Sequence, residues 1–249
     1  MQRKNKDFGE PKSLLIRGNM DYKRIAIITA AGKGIRLNKK IKKQYLKLKD
    51  KPLIYYTIKT FNELDSIDEI IIVSDEDGLN YVKKNIVEKY SFNKVSNIVL
   101  GGKTRSESVY NGFKVIDKKN SIILIHDGVR PFIDKEIIEK TIRKAEDKGA
   151  AVVGIKATDT MKILKNQKIL RTLDRRNLFQ VQTPQVFKYE VLNDSYNKIN
   201  LNDEKITDEA YIVEKSGHEI YIIYGSKKNI KITTTFDLKF AEYLIDLEK

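Results

Sequence analysis

The 249-residue chain sets 48 Lys and Arg against 34 Asp and Glu, a formal net charge of +14, with 41% hydrophobic residues, no Cys and two His. That apolar content excludes disorder of the whole chain, and the missing Cys excludes disulfides, thiolate metal centres and cysteine nucleophiles. With His126 and His218 as the only imidazoles, a histidine triad or a multi-histidine zinc site is disfavoured, so chemistry falls to Lys, Arg, Asp, Glu and hydroxyls.

In chain order, residues 1–19 hold five basic and two acidic side chains without sustained periodicity. They read as a leader outside the fold, with Met20 the expected start and 20–249 a single domain. No apolar run approaches the roughly 20 residues of a membrane helix, and the N-terminus has no signal-peptide core, so the expected location is cytoplasmic with no membrane partner. From Ile25 onward, short apolar runs alternate with amphipathic stretches, the pattern of βαβ units around a mostly parallel, buried sheet. The runs are Ile25–Thr29, Glu69–Ser74, Asn97–Leu100, Ser121–His126, Ala150–Ile155 and Glu219–Tyr224. The helical stretches are Lys51–Leu64, with Pro52 early and Ile54, Ile58 and Phe61 on one face, then Ser106–Ile116, Asp134–Lys148 closed by Gly149, and Thr235–Leu247. Thr158–Phe179 breaks the rhythm. It is polar, alternates in pieces such as Ile169–Leu173, and predicts a β-arm leaving the main sheet.

The first strand runs into Ala30-Ala31-Gly32-Lys33-Gly34-Ile35-Arg36, where small residues let backbone N–H groups close around an anion. The spacing fits neither G-x-G-x-x-G nor G-x-x-x-x-G-K-[ST]. An ordinary strand-to-helix turn fits the glycines equally well; what favours phosphate is the cationic set that follows, Arg36, Lys42 and Lys43. Asp127 follows an apolar strand, at the end where open α/β sheets bind ligands, but taken by itself it reads better as a turn aspartate capping the next segment. His126 reads as structural. Arg130-Pro131 suits a rigid turn with the guanidinium paired to a carboxylate. Ser108 suits either a ligand contact or a bond to its own helix backbone. Asp208 and Glu209 admit a metal reading, but Thr207-Asp208-Glu209 fits a helix N-terminus better.

Nine segments taken together resemble the 2-C-methyl-D-erythritol 4-phosphate cytidylyltransferase family. They are the glycine loop 30–36, Lys43-Gln44-Tyr45-Leu46, Gly101 through Val109, His126-Asp127-Gly128-Val129-Arg130-Pro131, Asp159-Thr160-Met161-Lys162, Thr172-Leu173-Asp174-Arg175, Gln182-Thr183-Pro184-Gln185, Thr207-Asp208-Glu209-Ala210 and Asn229 through Thr233. They run in the family's order from Tyr22 to the C-terminus. Two positions depart from the family pattern: Lys42 stands where it usually has Pro, which would loosen the loop, and Gly128 where it usually has Ala, which should leave the carboxylate in place.

The resemblance implies a Rossmann-like three-layer α/β nucleotidyltransferase fold, mostly parallel, with the arm at about 158–179 serving dimerisation. It implies transfer of CMP from CTP to a sugar-alcohol phosphate, with Arg36, Lys43, Arg175 and Lys231 catalytic. Ala30, Ala31, Gly32, Gly34, Arg36, Lys43, Gly102, Arg105 and Ser108 would bind CTP, the small Gly101-Gly102 pair letting the backbone approach the cytosine. Asp127, Thr160, Arg175 and Lys231 would hold the sugar phosphate, and Asp127 would ligate Mg²⁺ or another divalent cation. Thr160 and Arg175 would come from the neighbouring subunit of a homodimer. A ribitol-5-phosphate cytidylyltransferase shares the loop and the Asp-x-x-Arg-Pro turn, but Thr172–Arg175, Ser108-Val109 and Thr207–Ala210 favour the methylerythritol family. A basic RNA-binding module would interleave aromatics with cations on one face. Here the Tyr and Phe residues fall mostly within apolar runs, so no nucleic-acid partner is expected.

Overall fold

A computed structural model describes residues 22–32, 42–117, 119–201 and 203–247; the leader 1–19 and the loop positions Gly34, Ile35 and Arg36 lie outside the described residues. The elements in chain order are β1 (Lys23–Ala30), β2 (Lys47–Leu48), β3 (Lys51–Pro52), α1 (Leu53–Asn62), β4 (Glu69–Ser74), α2 (Glu76–Val82), β5 (Val95–Leu100), α3 (Arg105–Lys114), β6 (Ser121–Asp127), α4 (Lys135–Lys148) and β7 (Ala150–Lys156). They continue with β8 (Lys162–Lys165), β9 (Lys168–Thr172), β10 (Phe179–Lys188), α5 (Tyr189–Lys198), α6 (Glu209–Lys215), β11 (Tyr221–Tyr224) and α7 (Thr235–Leu247).

Seven strands form one sheet in the order β11-β7-β10-β6-β1-β4-β5. β1 lies near its middle, parallel to β4 and β6, with Ile27 opposite Ile71 on one side and Ile125 on the other. Alternate side chains of a strand face opposite ways, so β1 feeds two cores. Ala26 and Ile28 pack with Ile54, Ile58, Phe61, Ile138 and Ile142 of α1 and α4. Ile25 and Ile27 pack with Val109, Phe113, Leu192 and Ile212 of α3, α5 and α6. The result is three layers, helix–sheet–helix, as the resemblance implied. From β1 the chain winds outward through β4 to β5, then returns to add β6 on the other side of β1. That reversal opens a crevice at the carboxyl ends of β1 and β6, the ligand position of doubly wound sheets.

Local signals explain the helix ends. Asp134 accepts from the Glu136 N–H at 2.8 Å to start α4, and Gly149, at φ +94°, terminates it in the left-handed region that costs glycine nothing. Thr104 and Glu107 form a reciprocal capping box on α3.

The arm is a hairpin, β8 with β9, forming its own two-stranded sheet. Its expected extent to Phe179 needs correction at the C-terminal end, because Phe179 already opens β10, a ten-residue strand inserted antiparallel between β6 and β7. Sequence reading missed β10, since Gln180, Gln182, Thr183, Pro184 and Gln185 look like loop. Proline is tolerated there because the register with β7 shifts between Val181 and Gln185. The helices α2, α5 and α6 were likewise not anticipated as elements, apart from the α6 N-terminus.

Candidate active site

The crevice holds a cavity of about 330 Å³ lined by Thr29, Ala30, Ala31, Gly32, Lys43, Gln44, Gly102, Lys103, Thr104, Arg105, Ser108, Asp127, Val129 and Lys231. β1 delivers Ala30 through Gly32 from one side and β6 delivers Asp127 from beside it, Thr29 and Asp127 being register partners. The described CTP candidates Ala30, Ala31, Gly32, Lys43, Gly102, Arg105 and Ser108 all reach this wall, as do Asp127 and Lys231. Thr160 and Arg175 do not line it; Arg175 is exposed on the arm and donates to the Thr158 carbonyl.

Asp127 is the electrostatic centre. Its carboxylate is buried, with Lys231 Nζ 2.8 Å from Oδ2, Arg130 Nε 3.4 Å from Oδ2 and Arg105 Nε 3.6 Å from Oδ1. Burial opposes ionisation, yet Arg105, Lys231 and Arg130 together hold the carboxyl well below the usual carboxylate range. Arg130 is thus paired to a carboxylate, as its turn suggested, and also donates to the Asn229 carbonyl at 2.8 Å. This carries the Lys231 segment to Asp127, and Ile232 N–H to Val129 C=O, 3.0 Å, completes the link.

A buried relay orients Asp127 from behind. Its N–H donates to Thr183 Oγ1 at 3.1 Å, so that hydroxyl is free to donate to His126 Nδ1 at 3.0 Å, leaving His126 Nε2–H for the Arg130 carbonyl at 3.0 Å. Every bond is satisfied by a neutral imidazole with its proton on Nε2. Burial pushes the His126 pKa down to about 4. Thr183 lies on β10, the strand that the sequence did not reveal.

Gln44, unassigned by sequence beyond its place in a motif, is buried and donates through Nε2 to the Ala30 carbonyl at 2.5 Å and the Gly32 carbonyl at 3.2 Å. It turns the carbonyls of the glycine segment inward to itself. Lys42 has φ −67°, inside the range proline imposes, and its ammonium bridges Asp75 at 2.8 Å and Asp77 at 2.9 Å. The expected loosening therefore has no counterpart at Lys42 itself: the conformation proline would enforce is kept, with two ion pairs added.

The Gly101-Gly102 pair has a packing reason of its own. A Cβ on Gly101 would come within 2.5 Å of Ala31 Cβ, and one on Gly102 within 2.4 Å of Glu107 Cβ. Ser108 uses its hydroxyl on the backbone, donating to Thr104 C=O at 2.8 Å and accepting from Gly102 N–H at 3.0 Å, while still forming part of the wall. Asp208 caps α6 by accepting from Tyr211 N–H at 2.9 Å, the helix-start reading. Glu209 is wholly buried and paired to Arg105 at 2.5 Å; sequence reading missed this because nothing local links positions 105 and 209.

Asp127 is the one carboxylate on this wall among the described residues, and no group of three or more His, Cys, Asp or Glu suited to a metal occurs among them. The donor set fits a magnesium ion held by a single carboxylate together with ligand phosphates, and does not fit an all-protein cage. No helix among the described residues is long and apolar enough to cross a membrane.

Comparison with known proteins follows the same outline. Residues 24–247 match the family model for 2-C-methyl-D-erythritol 4-phosphate cytidylyltransferase. A protein of that name from Clostridium botulinum (strain Langeland) is 46% identical over 226 residues, 90% of this chain and 98% of its own length. Another from Clostridioides difficile (strain 630) is 42% identical over 90% of this chain and 94% of its own. Among solved structures, the 4-diphosphocytidyl-2C-methyl-D-erythritol synthase of Anaerococcus prevotii superposes with a TM-score of 0.80 at 32% identity, covering 90% of this chain and 96% of that one. The 2-C-methyl-D-erythritol 4-phosphate cytidylyltransferase of Francisella tularensis does so at 0.75 and 30%, covering 89% and 99%.

Proposed function

This chain belongs to the 2-C-methyl-D-erythritol 4-phosphate cytidylyltransferase family, and from that premise we propose how its crevice does the work. The enzyme is a nucleotidyltransferase that moves the cytidylyl group of CTP onto 2-C-methyl-D-erythritol 4-phosphate, in the pathway to isoprenoid precursors. An oxygen of the sugar phosphate bonds to the α-phosphorus of CTP, the bond from that phosphorus to the β-phosphate bridge breaks, and pyrophosphate departs with the electron pair.

The second pKa of a phosphomonoester is about 6, so the nucleophile is already ionised and no general base is needed. The barrier is the meeting of two anions, and fixed cations with positioning lower it. The observation that carries this reading is Asp127 under Lys231, Arg130 and Arg105, beside the glycine-rich end of β1. Arg36 and Lys43 embrace the triphosphate. The backbone of Ala30 to Gly34 and of Gly102 follows it, with Arg105 and Ser108 completing the CTP wall. Lys231 meets the incoming phosphate. Asp127 would hold a divalent cation, Mg²⁺ by the chemistry of a lone carboxylate, which would supply charge neutralisation when bound.

The second substrate's remaining partners come from a neighbouring copy. Thr160 and Arg175 stand on an arm whose Leu164, Ile169 and Leu170 are 57–62% exposed, a burial deficit that pairing of two arms would correct. The active unit is thus a homodimer with shared sites.

The test is pyrophosphate release with CTP, Mg²⁺ and the sugar phosphate. Arg36→Lys and Lys43→Met should each lower the rate about a hundredfold, near 3 kcal/mol of transition-state stabilisation; unchanged turnover overturns the assignment. Mixing inactive Arg36→Ala and Arg175→Ala proteins should restore about a quarter of the wild-type rate, because only heterodimers rebuild one intact site. No restoration would place Arg175 in its own subunit's site. Preference for ribitol 5-phosphate in a competition assay would reverse the substrate choice.

A further inference from the structure

Behind the pocket wall, Glu209 presents a carboxylate with no solvent exposure. Its Oε2 accepts from Arg105 Nη1 at 2.5 Å, while Oε1 is buried without a hydrogen-bond partner, as is the nearby Tyr196 hydroxyl. Such a group is costly: a buried ion pair is commonly replaced by apolar residues at no loss of stability. Nor does α6 need this carboxylate to start. Asp208 already caps it, and Gln185 clamps the same turn to β10, donating to Asp208 Oδ2 at 2.8 Å and accepting from Ala210 N–H at 3.1 Å.

Arg105 explains the carboxylate's place. Its guanidinium stands between Glu209 and Asp127, in tight contact with the first and 3.6 Å from Oδ1 of the second, beyond hydrogen-bond range. Asp127 Oδ2 is already taken by Lys231 and Arg130. Were Arg105 to close on Oδ1 as well, both oxygens would carry cation contacts, and an arriving metal ion would meet a guanidinium at the oxygen it needs. We propose that Glu209 is a positioning residue that draws Arg105 back from Asp127, keeping Oδ1 open to a divalent cation arriving with CTP. This rests on Asp127 being the cation's carboxylate, as argued above.

Glu209→Gln keeps size and one hydrogen-bond acceptor but releases Arg105 toward Asp127. Calorimetric titration of CTP into the full-length protein, at a series of Mg²⁺ concentrations and without sugar phosphate, gives the Mg²⁺ midpoint. The expected result is a midpoint raised about fivefold or more, with metal-free CTP affinity not weakened. A midpoint unmoved by Glu209→Gln overturns the proposal, whatever happens to melting temperature. Should that variant not fold, Glu209→Asp retracts the carboxylate while keeping its charge, and a midpoint unmoved there overturns the proposal equally. Asp127→Asn separates the two ideas. If it leaves the midpoint unchanged, the assignment of Asp127 fails; if it shifts the midpoint and Glu209→Gln does not, only the positioning role fails.

Discussion

Lys231 and Asp127, 104 positions apart in the chain, meet at 2.8 Å across the mouth of the crevice. The pair joins the end of β6 to the segment leading into α7, so its loss is felt in both chemistry and stability. Asp127→Asn leaves Lys231 and Arg130 facing Arg105 with only Glu209, bound to Arg105, as a counter-charge to the three. A cost of about 3 kcal/mol is expected by urea unfolding at neutral pH. Lys231→Met, at a side chain 38% exposed, should cost far less, and the double variant should be more stable than Asp127→Asn alone. Additive losses would show that the two do not interact. Because the carboxyl is depressed in the folded state, its contribution is present above the unfolded carboxylate pKa and is lost only as pH falls through the lower folded value.

His126 predicts a second, milder pH dependence. The imidazole is neutral in the fold, with its pKa pushed down from 6.5 to about 4 by burial. Between those values the unfolded chain binds a proton that the folded chain refuses, so stability falls as pH drops through this window and levels off below it. The full effect is about 3 kcal/mol. Unfolding free energies at pH 7, 5.5 and 4.5 should show this slope, and His126→Asn should flatten it. An equal slope in the variant would assign the effect elsewhere.

Gln44 is expected to matter for shape rather than charge. Its amide nitrogen serves the carbonyls of Ala30 and Gly32, so Gln44→Glu would set a carboxylate oxygen against two carbonyl oxygens. A loss of about 2 kcal/mol of stability and about tenfold weaker CTP binding are expected. Gln44→Met, which removes the donor without adding a charge, should be the milder change. Equal effects would mean that packing alone is at stake.

Gly128 makes a prediction against family habit. Alanine is the usual residue there, but here a Cβ would lie 2.8 Å from the Thr29 carbonyl oxygen, itself the acceptor of the Gly128 N–H at 3.0 Å. Backbone must therefore shift between β1 and β6 to admit an alanine in this packing. Gly128→Ala should cost about 1–2 kcal/mol and raise KM for CTP. A melting temperature equal to wild type would show that the strands have room.

The buried runs at Ile25, Glu69 and Ser121 could be read as parallel strands because their isoleucines must hide from water on both faces of a sheet. The glycine loop and Asp127 could be picked out from residue type and position, whereas Lys231, and the convergence of all three, were implied by the resemblance alone. β10 was not legible: its Gln, Thr and Pro residues are stabilised by partners on β6, β7 and the 226–229 turn that no local pattern announces.

Composition alone determined that chemistry here falls to Lys, Arg, Asp, Glu and hydroxyls, since the chain has no thiols and two imidazoles. Periodicity determined the layered α/β class, because apolar spacing dictates which surfaces must be covered. Only the tertiary structure decided that three cations share one carboxylate, that Arg105 is held between Asp127 and Glu209, and that a threonine on a hidden strand orders His126. Those relations join residues tens of positions apart, and the energy of a charge pair depends on distance and burial, which residue order does not specify.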